Sequence, residues 1–214
     1  MARIPDGILG KFIGTAGNVS GYMRMNNNFV RTKRRRTNKP MTEKRLAQQQ
    51  KLRVCNEFTK SFSGSGFFDK TFPGSTATTA TGYNKATSAL LKKAITGNYP
   101  ETTLAWPFVL ISEGGMPSPR NAQVATNTDG NLFFTWSSNA GTGTAKDMDI
   151  AVLVAYCPAF QQAAFLISDR RRVDGNAVLR TQVLQGYTVE TWMGFISHDG
   201  KDASDSIYCG SINL

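Results

Sequence analysis

The sequence predicts a mainly β protein with two helices, of the α+β class, in which an antiparallel two-sheet sandwich follows an extended glycine-rich arm and a helical segment. Three observations carry this expectation. From residue 100 onward, eight short runs rich in β-branched and aromatic residues are separated by turn signals such as Asp129-Gly-Asn, Asp174-Gly-Asn and Asp199-Gly-Lys. Between residues 41 and 99 the apolar residues recur at helical spacing instead. Before residue 40 glycine recurs too often for either pattern. The number and spacing of the strand runs match fibronectin- or immunoglobulin-like proportions.

Residues 1–40 read as a basic arm. Gly7, Gly10, Gly14, Gly17 and Gly21 break any helix, and between them Ile8, Leu9, Phe12, Ile13 and Val19 need burial. Val19–Met25 and Phe29–Thr32 flank an asparagine run, Asn26-Asn-Asn, that tolerates positive φ, so the spacing predicts a hairpin carrying Tyr22 and Phe29. A lone hairpin is marginal in water and must lie on the body or on another subunit. The cluster Arg31, Lys33, Arg34, Arg35, Arg36 and Lys39 follows it, six cations in nine residues.

Pro40 turns Lys39 away from helical angles, and Thr42 is placed to cap a helix over about 43–62, with Glu43, Lys44 and Arg45 in its first turn. Leu46, Val54, Phe58 and Phe62 form its apolar stripe. Residues 63–82 predict a loop anchored by Phe67, Phe68 and Phe72. A second helix is expected over about 83–96, with Leu90, Leu91 and Ile95 inward and Gly97 as its stop. The strand runs over 100–214 are Leu104–Ile111, Ala122–Thr126, Asn131–Trp136, Ile150–Cys157, Ala163–Ile167, Ala177–Leu184, Tyr187–Ile196 and Ile207–Ile212. Trp136 is the natural core anchor among them.

Several motifs in order carry a resemblance. Asp6-Gly-Ile-Leu-Gly, Gly17-Asn-Val-Ser-Gly-Tyr, Asn38-Lys-Pro-Met-Thr-Glu-Lys, Tyr83-Asn-Lys-Ala and Ala94-Ile-Thr-Gly lie in the first half. Gly186-Tyr-Thr-Val-Glu, Phe195-Ile-Ser-His-Asp-Gly-Lys and Ser204-Asp-Ser-Ile-Tyr-Cys-Gly close the second. In this the chain resembles an uncharacterised domain-of-unknown-function family of Gram-negative bacteria and their mobile elements. The resemblance implies a glycine-rich arm joined to a β-rich body and brings no catalytic residues with it. The Arg34–Arg36 triplet is richer in charge than the family pattern.

Charge is concentrated at one end. Residues 1–60 carry 14 Lys/Arg against 3 Asp/Glu, whereas residues 61–214 carry 11 against 12. A near-neutral body with a strongly basic segment is the asymmetry of an arm that meets a polyanion, the alternative being a solvated basic face. Phosphate contacts by Arg31, Lys33, Arg34, Arg35, Arg36, Lys39, Lys44 and Arg45 would give salt-sensitive binding to the nucleic-acid backbone, since no base-reading motif accompanies them.

Catalytic and metal chemistry find little material. One histidine and three cysteines exclude a zinc ribbon or a multi-histidine centre. A hydrolytic triad would have to use His198, which sits beside a turn-forming Asp199-Gly200, and no nucleophile elbow is present. Asp147 with Asp149, and Asp199 with Asp202 and Asp205, lack calcium-loop spacing and read as solvated turn carboxylates. Arg170-Arg-Arg172 reads as a charged inter-strand turn. No cofactor is expected. Neither a signal peptide nor a membrane span is expected, and three widely spaced cysteines suit a reducing compartment, so the expected location is the cytoplasm or a particle assembled inside the cell.

Together these features predict a non-enzymatic structural subunit that self-assembles into a homo-oligomer. The assembly residues are Ile8, Leu9, Phe12, Ile13, Val19, Tyr22 and Phe29, through strand exchange onto a neighbour's sheet edge. A virion component (capsid, decoration or tail) or another ordered particle or filament is its concrete form. The arm docking on its own body is the alternative geometry, and a nucleic-acid-binding accessory protein is the alternative function.

Overall fold

The computed structural model describes residues 3–4, 10–24, 26–34, 40–73, 81–127 and 129–214. The chain divides into two compact units, Met1–Thr42 and Glu43–Leu214.

In the first unit, β1 (Gly14–Ala16), β2 (Val19–Arg24) and β3 (Asn27–Thr32) form an antiparallel sheet in the order β1-β2-β3. The β2–β3 turn passes through Asn26 at φ 65°, a left-handed conformation that asparagine adopts more readily than most residues. Gly17, at φ 56°, serves the same purpose between β1 and β2.

The second unit opens with three helices: α1 (Glu43–Lys60), α2 (Phe67–Thr71) and α3 (Gly82–Lys93). A small ladder of β4 (Ile95–Thr96) and β5 (Thr103–Leu104) follows. The remaining strands are β6 (Arg120–Thr126), β7 (Leu132–Ser137), β8 (Ile150–Cys157), β9 (Gln162–Arg171), β10 (Asn176–Leu179), β11 (Thr188–Ile196) and β12 (Ile207–Asn213). They build a three-stranded sheet, β10-β7-β6, and a four-stranded sheet, β12-β11-β8-β9, both antiparallel.

Strand β8 shows why this unit has three layers. Ala151, Leu153, Ala155 and Cys157 share a core with Leu132, Phe134, Trp136, Ala177 and Leu179 of the three-stranded sheet. The alternate residues Val152, Val154 and Tyr156 share a second core with Phe58, Phe62, Phe67, Phe72 and Leu90 of the helical segment. A strand covered on both faces must be apolar at every position, which is why its sequence is an unbroken hydrophobic run rather than an alternating one. The helices expected over 41–99 and the sheets expected over 100–214 thus share a core. The sandwich carries a helical layer on one outer face.

Aromatic side chains dominate the helix-facing core. Phe58 packs edge-on against Tyr156 and Trp192, with ring centroids 4.9 and 5.9 Å away. Phe62, Phe67 and Phe165 pack within 5.4 Å of one another. Gly82 begins α3 where a Cβ would collide with the Phe68 carbonyl, so the closeness of α2 to α3 needs glycine there.

Four expectations are corrected. Leu104–Ile111 is not one strand: after β5, Trp106-Pro-Phe108 forms a 3₁₀ turn, because Pro107 has no N–H to give a ladder. The run still enters the core through Val109 and Ile111, and the Ile111 N–H donates to Ser206 Oγ at 2.9 Å. Ala177–Leu184 is strand only as far as Leu179, and Gln182–Leu184 is a 3₁₀ turn. The aromatic anchors of the 63–82 loop form α2, whose one turn is held by burial of Phe67 and Phe68. The helices end earlier than their patterns suggest, α1 at Lys60 and α3 at Lys93, since Ile95 pairs with Leu104 before Gly97 turns the chain at φ 78°.

The arginine triplet holds a further correction. Arg172 is not part of a solvated turn: its side chain is 0% exposed, and its Nε donates to Asp149 Oδ2 at 3.0 Å. Its guanidinium also donates to Pro117 O and Asn139 Oδ1, and lies 3.9 Å above the Phe195 ring. The Trp136 indole N–H caps the Arg172 carbonyl at 2.8 Å. Asp149, taken from sequence as a solvated carboxylate, is buried with it.

Candidate assembly and polyanion-binding surface

Side chains alternate across a strand pair, so the register of β2 and β3 sorts the arm's residues onto two faces. The pairs Ser20–Arg31, Tyr22–Phe29 and Arg24–Asn27 share one face; Val19–Thr32, Gly21–Val30 and Met23–Asn28 share the other. On the first face the Tyr22 and Phe29 rings stack at 5.6 Å with planes 19° apart, and the Arg31 guanidinium sits 5.3 Å from the Tyr22 centroid. Thr15 of β1 extends this face, its hydroxyl 3.1 Å from that of Ser20. A cation over a stacked aromatic pair stiffens an exposed ribbon by about 0.5–1 kcal/mol at such sites.

The second face holds no charged side chain within β2 and β3. Phe12 crosses it over Gly21, where a Cβ would collide with the Phe12 ring and carbonyl. The Asn28 carboxamide, with its nitrogen toward Phe12, donates to the Phe12 carbonyl at 3.2 Å and accepts from the Phe12 N–H at 3.3 Å. Next to Phe12, Ile13 and Arg3 exchange backbone hydrogen bonds of 2.7 and 2.9 Å. Ile13, Val19 and Val30 remain exposed, Val30 at 59%.

The structure brings only part of the expected set together. Of the assembly residues, Phe12, Ile13 and Val19 meet on or beside the uncharged face, while Tyr22 and Phe29 lie on the opposite one. Ile8 and Leu9 lie outside the described residues, as do Arg35, Arg36 and Lys39. Arg31, Lys33 and Arg34 are exposed at the end of β3, with the Lys33 N–H donating to Asn18 O at 2.6 Å. Lys44 and Arg45 are exposed in the first turn of α1, in the second unit. Sequence reading missed Arg24 and Val30, although their parity about the Asn26 turn assigns each to its face.

The hydrolytic alternative has its own geometry. His198 is exposed and lines a cleft of about 440 Å³ with Asp149, Lys146, Lys201 and Asp202. The neighbouring Ser197 hydroxyl donates to Asp199 Oδ1 at 2.7 Å and accepts from the N–H groups of Lys201 and Asp202 at 3.1 and 2.9 Å. That hydrogen bond from Ser197, with help from the Lys201 backbone, holds the Asp199 carboxyl below its ordinary pKa. Among the described residues no hydrogen bond joins His198 to a serine or a carboxylate, and no cluster of three His, Cys, Asp or Glu is placed to hold a metal ion. The arrangement is a turn stitched by a serine, with Gly200 at φ 68°.

No helix among the described residues is long and apolar enough to cross a membrane. No curated protein and no solved structure matches the chain. A family model described as "Family of unknown function (DUF6266)" matches residues 10–210, which takes in β1 through most of β12. The glycine-bearing three-stranded sheet and the layered body are therefore both within the matched region, and the chain belongs to that family of unknown function.

Proposed function

We propose that the protein is a non-enzymatic structural subunit that self-assembles through its N-terminal arm, as a component of a virion or of another ordered particle or filament formed inside the cell. One observation carries this reading. Strand β3 is exposed along its whole length and, among the described residues, pairs with β2 alone, while the uncharged face beside it presents Ile13, Val19 and Val30. An open edge next to exposed aliphatic side chains is a surface that a second strand completes, satisfying backbone and side chains together. Occurrence of the arm's motif order in Gram-negative bacteria and their mobile elements belongs to the same proposal. Negative-stain microscopy and light scattering of the full chain test it. Particles or filaments that vanish on removal of residues 1–42 support it; identical monomers with and without the arm overturn it.

A second reading has its own support. Residues 7–42 contain eight Lys/Arg and no Asp/Glu. A stretch of that composition attracts phosphates, and makes the protein a nucleic-acid-binding subunit or accessory protein whose affinity falls steeply with salt.

A further inference from the structure

We infer that the hairpin is bifunctional by face, and that its Tyr22–Phe29 face binds single-stranded nucleic acid by stacking bases on the aromatic pair. This rests on the nucleic-acid reading above and replaces its expectation of backbone contact alone.

Tyr22 and Phe29 are 40% and 42% exposed, and the register holds them together on the face opposite Val19 and Val30. An exposed aromatic pair calls for a partner with flat apolar surface. The side chains around it, Arg24 and Arg31, are cationic and exposed, and Lys33 and Arg34 continue the charge beyond the strand. The partner must therefore be anionic as well as flat. Two copies of this face do not fit each other, because each would bring the same uncompensated positive charge. The opposite face carries no charge in either strand.

Nucleic acid meets both requirements, its phosphates for the arginines and its bases for the rings. Single strands are favoured over duplexes because bases in a duplex are already stacked on one another, whereas splayed bases have free faces. Tyr22 and Phe29 already stack on each other with Arg31 over Tyr22, so a base would extend this stack from the Phe29 side, beside the Arg31 guanidinium plane. Stacking on such platforms is tolerant of sequence, which agrees with the lack of a base-reading motif.

The test is fluorescence anisotropy of the full chain with a labelled oligothymidylate of about twenty nucleotides and a duplex of the same length, across a salt series. The double variant Tyr22→Val/Phe29→Val keeps strand-forming side chains but removes the rings. It is expected to lose about tenfold or more in single-strand affinity, with little change in the salt slope and little change on the duplex. Tyr22→Phe/Phe29→Tyr is expected to retain wild-type affinity, and Arg31→Ala to flatten the slope. In Phe29→Trp, oligothymidylate should quench the new indole. Binding that ignores the double valine change, or no quenching at saturating oligonucleotide, overturns the stacking proposal while leaving backbone binding intact. No binding to either nucleic acid at low salt overturns both.

Discussion

Arg172 Nε and Asp149 Oδ2 lie 3.0 Å apart with side chains 0% and 1% exposed, and the pair joins the end of β9 to the chain just before β8. The guanidinium is satisfied on its other side by Pro117 O and Asn139 Oδ1, so both ions are compensated where they are buried. Burial lowers the Arg172 pKa and the Asp149 charge works against that fall. Removing one partner strands the other. Asp149→Ala is expected to cost about 3–5 kcal/mol, read as a lower urea midpoint. The charge-free double variant Arg172→Met/Asp149→Leu is expected to recover part of that loss.

Phe58 is the keystone of the helix-facing core, touching Tyr156 and Trp192 across the layer boundary. Phe58→Ala is expected to cost about 3–5 kcal/mol in urea unfolding. Val183→Ala, at a side chain 81% exposed, is expected to stay within about 0.5 kcal/mol of wild type.

Gly82→Ala tests the packing of α2 against α3. The added methyl collides with the Phe68 carbonyl, a backbone atom that moves only with its helix, and a loss of about 1–3 kcal/mol is expected. Gly115→Ala is the control, since the nearest atom to its added carbon is an Asp202 carboxylate oxygen 3.8 Å away, and its melting temperature should change little.

The thiols give a pH dependence. Burial raises the Cys55 pKa from 9.0 to about 11 and that of Cys209 from 9.0 to about 12. The folded chain therefore holds these protons in a range where the unfolded chain has released them. Their contribution to stability is complete below about pH 9 and is lost as the pH climbs toward 11 and 12. Urea midpoints measured from pH 8 upward are expected to fall across that window, with a shallower fall in Cys55→Ala. Labelling of the fully buried Cys55 and Cys157 at pH 8 should be slow until denaturant is added.

Much of the body was legible in the sequence, and the reasons differ by element. Strand β8 has the bounds of its apolar run, Ile150–Cys157, because burial on both faces leaves no polar residue to blur its ends. The β2–β3 hairpin was visible through its asparagines. Leu104–Ile111 misled because its side chains are as apolar as a strand's, yet Pro107 cannot join a ladder. Arg172 misled for another reason: its partner Asp149 is 23 residues away, and no local pattern distinguishes a buried arginine from two solvated ones beside it. The arm's two-faced character lay in the parity of its residues about Asn26, but only the register shows that Tyr22 and Phe29 turn away from Val19 and Val30.

The claim at the centre of this account is that the open edge of β3, with the uncharged face beside it, joins one copy of the chain to another. Sedimentation velocity of the full chain beside the double variant Val19→Asp/Val30→Asp addresses it directly. The account predicts a concentration-dependent oligomer for the wild type and a folded monomer for the variant, whose like charges cannot be buried against a neighbour. A wild type that sediments as a monomer at every concentration, or a variant that assembles to the same size, would contradict it.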